Sequence, residues 1–225
     1  MSLVDASVQV LQDAPFPDFV TRPAIARLVA AARRRLARTP PATEAAFARE
    51  MAARAIAEHA EAANAQHYEL PAEFFRLVLG PQLKYSACLY GPDTTGLAEA
   101  ETLALAETAA HADLRDGQAI LELGCGWGSL SLWMAERFPG ARITAVSNSR
   151  SQRAHIEAEA ALRGLANLQV VTADMNAFAA EGRYDRIVSV EMFEHMANWR
   201  ALLERARGWL AQAVRFPASQ WALRL

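Results

Sequence analysis

Three glycines at every second position, Gly124, Gly126 and Gly128, follow an apolar run and open a helical pattern in the stretch AILELGCGWGSLSLWMA, residues 119–135. That order of residues constrains the chain to a strand, a tight turn and a helix. Ile120, Leu121 and Leu123 supply a buried strand, and the glycines let the backbone turn sharply, approach a ligand closely and pack the next helix on the sheet. A nucleotide-like ligand sits at such a turn in an open α/β sheet. The spacing here is GxGxG with Glu122 immediately before it, whereas a dinucleotide fingerprint is spaced GxGxxG and carries an acid about 20 residues later. The later window, Thr144 to Ser149, contains no acid. Glycine-rich turns also serve as plain connections, so the rest of the chain has to decide between a ligand site and a simple turn.

From Asp116 onward strands and helices alternate. The pattern predicts strands near 119–123, 142–146, 168–172 and 185–190, and helices near 128–137, 150–163 and 197–210. Such alternation gives a mostly parallel sheet with right-handed crossovers, the Rossmann-like α/β class. Ahead of it, residues 23–64 are rich in Ala, Arg, Glu and Leu and are interrupted by Thr39, Pro40 and Pro41, which predicts two helices with a stop between them. Residues 71–80 begin with Pro71 and end with Gly80, the usual helix punctuation, and another helix is expected over about 97–113. Four parts result: an N-terminal helical segment 1–66, a helical cap 67–115 with a loop of unusual composition at 84–93, the Rossmann-like domain 116–210, and an atypical tail 211–225. The last helix should feed a strand, yet the tail offers one weak candidate interrupted by Pro217. The sheet therefore reads as incomplete at its C-terminal end, with a chain cut short or shifted in frame near residue 211 as the expectation and a compact four-strand domain as the alternative.

With 225 residues, 52% of them apolar, a sizeable core is available. Twenty-three basic against 25 acidic residues give a net charge of −2, which offers no electrostatic case for nucleic acid or an anionic membrane as partner. The cluster Arg33–Arg35 reads as a solvated helix face. Cys88 and Cys125 lie in unrelated contexts, so neither a disulfide framework nor a metal site is suggested, and a reducing, cytoplasmic setting is expected. No apolar stretch approaches the about 18 residues of a membrane span, and Asp5, Asp13 and Asp18 stand where a targeting segment would be basic and apolar. No stable membrane insertion is expected.

The glycine turn, the run Lys84, Tyr85, Ser86 and the string SVEMFEHM at 189–196 together carry a family likeness. From about His67 to Leu210 the chain resembles class I S-adenosylmethionine-dependent methyltransferases, in the branch that contains cyclopropane fatty acid synthases and coclaurine-type N-methyltransferases. The resemblance implies S-adenosyl-L-methionine as cofactor, lying across the carboxyl ends of the strands. Glu122, Gly124, Gly126 and Gly128 would form the turn beside its methionine part, with Tyr85 and Ser86 covering the carboxylate and sulfonium. Ser147, Asn148 and Gln152 match the neutral polar groups that this branch sets against the ribose, where an amide can both donate and accept. Asp174 and Met175 match the positions that meet the adenine, although a place in the core suits Met175 equally well.

Methyl transfer from a sulfonium needs orientation and, for an amine, removal of the proton that blocks its lone pair. By the resemblance, Glu191, Glu194 and His195 would do this, either carboxylate holding a cationic amine and His195 accepting its proton near neutral pH. A purely structural reading has Glu194 capping the following helix and His195 packed under the loop. Cyclopropane synthases usually carry glycine where this chain has Glu191, and cysteine where it has Ala87. Both departures favour a small apolar or aromatic amine as acceptor over an unsaturated lipid. The alternatives are methylene transfer to lipid and a shortened, non-catalytic remnant, and weak or absent turnover is expected of the chain itself.

Overall fold

The computed structural model describes residues 16–58 and 70–211. The chain divides into two compact units between Glu50 and Met51. The first holds α1 (Asp18–Ala37) and nearly all of α2 (Pro41–Met51), separated at Thr39 and Pro40 as the proline run predicts. No residue of α1 is buried.

The second unit carries the sheet. In chain order it contains α3 (Ala72–Val78), α4 (Leu97–His111), β1 (Ala119–Leu123), α5 (Ser129–Arg137), β2 (Arg142–Ser147), α6 (Arg150–Leu162), β3 (Leu168–Thr172), β4 (Arg186–Val188), a 3-10 turn at Phe193–His195 and α7 (Trp199–Trp209). Residues 51–58, which the sequence reading assigns to the N-terminal helical segment, belong with this unit.

The four strands are all parallel and lie in the order β3-β2-β1-β4. β1 is buried along its whole length and sends alternate side chains to opposite faces. Leu121 and Leu123 join Val146, Phe178, Leu202 and Trp209 on one face, under α7. Ile120 joins Ile143, Leu105, Leu130 and Met134 on the other, under α4 and α5. Leu132, Ala145, Ile156 and Val170 extend that second layer toward α6. The chain runs outward from β1 to β2 and β3, then returns to the other side of β1 as β4. The strand order thus reverses beside the glycine turn, which is where open α/β sheets form their ligand crevice.

β4 is three residues long, shorter than the predicted 185–190. Past Val188, Ser189 Oγ donates to the Leu123 carbonyl at 2.8 Å, taking the acceptor that a continued ladder would use, and Glu191 then turns the backbone away at φ +51°. On the outer side of β4, Tyr184 N–H donates to Trp209 O at 3.0 Å and Ala211 N–H to Tyr184 O at 2.8 Å, a parallel bridge that opens a further pairing after α7. The tail expected to be atypical lies, beyond Ala211, outside the described residues. Among the described residues no helix is long and apolar enough to cross a membrane.

Candidate functional site

The three glycines perform three different tasks. At Gly124 (φ +79°) a Cβ would come within 2.5 Å of Met192, so the absence of a side chain lets the segment after β4 close over the strand end. Gly126 (φ +54°) faces open space, where a Cβ would meet nothing within 4 Å. Gly128 (φ +84°) precedes α5, and a Cβ there would stand 2.6 Å from Ile156 of α6.

A cavity of about 350 Å³ opens at the carboxyl ends of the strands. Glu122, Gly124 and Gly126 line it from the turn, and Ser147, Asn148 and Gln152 from the end of β2 and the start of α6. Asp174 and Met175 line it after β3, Tyr85 and Ser86 from the loop ahead of α4, and Glu191, Glu194 and His195 after β4. Of the residues singled out in the sequence, only Gly128 lies outside the lining; its place is in the packing of α5 on α6.

The end of the cavity under the turn is built from buried polar groups. Glu122 is 3% exposed and accepts a 2.5 Å hydrogen bond from Ser131 Oγ. Burial pushes its carboxyl up to about 7, with the Ser131 bond pulling the other way. Ser147 Oγ donates to Gln152 Oε1 at 2.6 Å and accepts from Ser149 N–H, while the Ser149 hydroxyl caps α6 by accepting from Gln152 N–H. The amide of Gln152 is thereby fixed with its oxygen occupied, and its Nε2 is buried without a partner among the described residues. Ser129 Oγ and Trp127 Nε1 are also buried with no partner among the described residues, and both residues line the cavity. Buried donors and acceptors are almost always satisfied, so three unmet groups around one cavity, two of them donors only, fit a polar ligand rich in hydroxyl and other acceptor oxygens or nitrogens.

The other end is open. Glu191, Glu194 and His195 are all exposed, and the helix that the purely structural alternative has Glu194 capping is capped by Asn198, whose side chain accepts from Ala201 N–H at 3.0 Å. Asp174 is exposed and holds its own loop through a 2.8 Å bond from Asn176 N–H, whereas Met175 is 8% exposed and packed in the core cluster. Both readings of Met175 therefore describe one position, at once core and cavity wall.

Sequence reasoning missed one wall of the site. Residues 52–58 form a strap along the carboxyl edge of the sheet, and Ala57 and Glu58 line the cavity. Asn176 grips Ala57 by both backbone groups, accepting from its N–H at 3.0 Å and donating to its carbonyl at 2.9 Å. Asn198 Nδ2 donates to Ala52 O and Arg54 O, and Ala197 N–H to Ile56 O at 2.8 Å. Partners 119 to 146 residues apart leave no local pattern. Ser129, by contrast, had a signal: it is the first residue of the helix behind a glycine turn, where N–H groups and hydroxyls collect around ligands.

A model of the mycolic acid cyclopropane synthetase family matches residues 56–213. Over 157 residues the chain is 41% identical to a (S)-coclaurine N-methyltransferase of Thalictrum flavum subsp. glaucum, covering 70% of this chain and 44% of that protein. It is 31% identical over 140 residues to cyclopropane mycolic acid synthase 1 of Mycobacterium tuberculosis, covering 61% of this chain and 48% of that one. A crystal structure of coclaurine N-methyltransferase bound to N-methylheliamine and SAH superposes with a TM-score of 0.82 at 35% identity, covering 92% of this chain and 61% of that one. The chain spans about half the length of the curated relatives it matches.

Proposed function

We propose that this chain, which belongs to the mycolic acid cyclopropane synthetase family, binds S-adenosyl-L-methionine in the cavity under the glycine turn and serves N-methylation of a small apolar or aromatic amine. The observation that carries the reading is the meeting of two sets of residues in one cavity: the turn with its unmet buried donors, and the Glu191, Glu194, His195 group. The 41% identity to a coclaurine N-methyltransferase supports the choice of acceptor.

When bound, the cofactor supplies a methyl group on a sulfonium, an electrophile strong enough to need no further activation. The chain's own residues bind and orient. Gly126 leaves room beside the turn, Gln152 Nε2 and Ser129 Oγ supply hydrogen bonds that nothing else in the described structure meets, and Met175 offers an apolar, polarizable wall. Glu122 faces the same region as a buried carboxyl, suited to the ammonium of an amino acid. At the open end Glu191 and Glu194 attract a protonated amine, and His195 takes the proton that would otherwise occupy the attacking lone pair.

Calorimetric titration with S-adenosylhomocysteine, with NAD as control, tests the cofactor assignment: saturable binding of the first alone is expected, and binding of NAD alone overturns it. Incubation with S-adenosylmethionine and either aromatic amines or unsaturated phospholipid, followed by product mass, tests the acceptor. A gain of one methyl on the amine is expected. A gain only in lipid moves the assignment to the synthase branch.

A further inference from the structure

The chain uses arginine 22 times and lysine once. That lysine, Lys84, is 8% exposed and lines the cavity immediately before Tyr85 and Ser86. Its Nζ donates to Ser86 Oγ and, at 2.7 Å, to the carbonyl of Ala87. Its own backbone N–H is held by Oε1 of the fully buried Glu101, whose Oε2 accepts from Gln82 N–H. On the far side Glu191 Oε1 accepts from Ala87 N–H at 3.3 Å. Two non-glycine residues in the left-handed region, Leu83 (φ +50°) and Glu191 (φ +51°), flank this assembly, and both line the cavity. Strain of this kind persists only where surrounding contacts enforce it. Burial pulls the Lys84 ammonium below its usual range, while Cys88, Glu191 and Glu101 pull it back toward the charged form.

An ammonium has three donors and no acceptor. Ser86 Oγ must therefore accept from Lys84, which leaves the Ser86 O–H proton to be donated elsewhere, and the buried charge beside it strengthens that donor toward an anion. A guanidinium would place a wide planar head where a compact one is needed, which accounts for a lone lysine in an arginine-rich chain. We propose that Lys84 is a positioning residue that fixes Ser86 as a hydrogen-bond donor to the carboxylate at the amino-acid end of the ligand. The inference rests on the cofactor reading given above and deepens it.

The test compares two ligands that share the nucleoside but differ in the carboxylate: S-adenosylhomocysteine and 5′-methylthioadenosine. In calorimetry on the 225-residue chain, Lys84→Met should weaken S-adenosylhomocysteine about tenfold or more and leave 5′-methylthioadenosine within about twofold. Ser86→Ala should reproduce that pattern, and adding Lys84→Met to Ser86→Ala should weaken binding little further, because the two act as one unit. Lys84→Arg, which keeps the charge, should fall between parent and Lys84→Met. Equal weakening of both ligands overturns the proposal in favour of a merely structural lysine, and no weakening of either overturns it outright. If the unaltered chain binds neither ligand, the cofactor reading itself fails and takes this inference with it.

Discussion

Under the glycine turn, Glu122, Ser147 and Gln152 are buried and hold fixed hydrogen bonds, whereas Glu191, Glu194 and His195, at the other end of the same cavity, all stand exposed to water. The first end is made by the sheet: strand ends, a turn whose conformation glycine alone adopts cheaply, and a capped helix. Its groups are oriented before a ligand arrives, and the unmet ones define what must arrive. The second end is made by a loop and a single 3-10 turn, where the Glu191 carboxylate accepts from Ala87 N–H and the exposed Glu194 and His195 gain further orientation from what binds among them. On the proposed function, binding of the nucleoside and transfer of the methyl group are therefore separable properties of one pocket.

That separation breaks most completely if the turn itself is filled. Gly124→Val would press a branched side chain against Met192 at a backbone angle that L residues avoid, and a loss of about 4 kcal/mol in urea denaturation is expected, with S-adenosylhomocysteine binding lost as well. A smaller effect comes from pH. Glu122 has its carboxyl raised from 4.5 to about 7 in the folded chain, so the folded form holds that proton more tightly than the unfolded one. The stability it contributes is fully present below about pH 4.5 and is lost as pH rises through about 7, a decline of about 3 kcal/mol. Denaturation of Glu122→Gln across pH 4.5 to 8 should show that decline removed; an unchanged profile would mean that water already reaches the carboxyl.

At the exposed end, Glu194→Gln should leave S-adenosylhomocysteine affinity within about twofold while slowing any methyl transfer to an amine about 100-fold. Equal losses in both would erase the distinction between the two ends. The mildest change expected is at the strap: Asn176→Ala removes both bonds to Ala57 and should cost about 1–2 kcal/mol of stability, with hydrogen exchange at Ala57 N–H rising more than at the β1 amides. Uniform acceleration across the sheet would show that the strap is not a local feature.

β1 and β3 were legible to the residue because short runs dominated by apolar and β-branched residues, AILEL and LQVVT, sit between turn signals, and the glycine turn was legible because its chemistry is a backbone requirement. β4 was overrun because the bond that ends it, from the Ser189 hydroxyl to the Leu123 carbonyl, joins residues 66 positions apart. The cavity gathered all but one of the residues singled out in advance, since strand order brings the strand ends together and the loop ahead of α4 adds Tyr85 and Ser86 to them. The strap and the unmet Trp127 Nε1 were not legible, because each owes its place to packing between distant segments.

The strap bears on how the two ends influence each other. Asn176 follows the strand that delivers Asp174 and Met175, Asn198 follows the turn that delivers Glu194 and His195, and both are bonded to the one strap, Asn176 at Ala57 and Asn198 at Ala52 and Arg54. The segment thus acts as a yoke between the two loops. A ligand that draws one loop inward must either carry the yoke with it or break its bonds, and the other loop feels the difference. By linkage, whatever factor the acceptor adds to cofactor affinity through this yoke, the cofactor returns to the acceptor in equal measure.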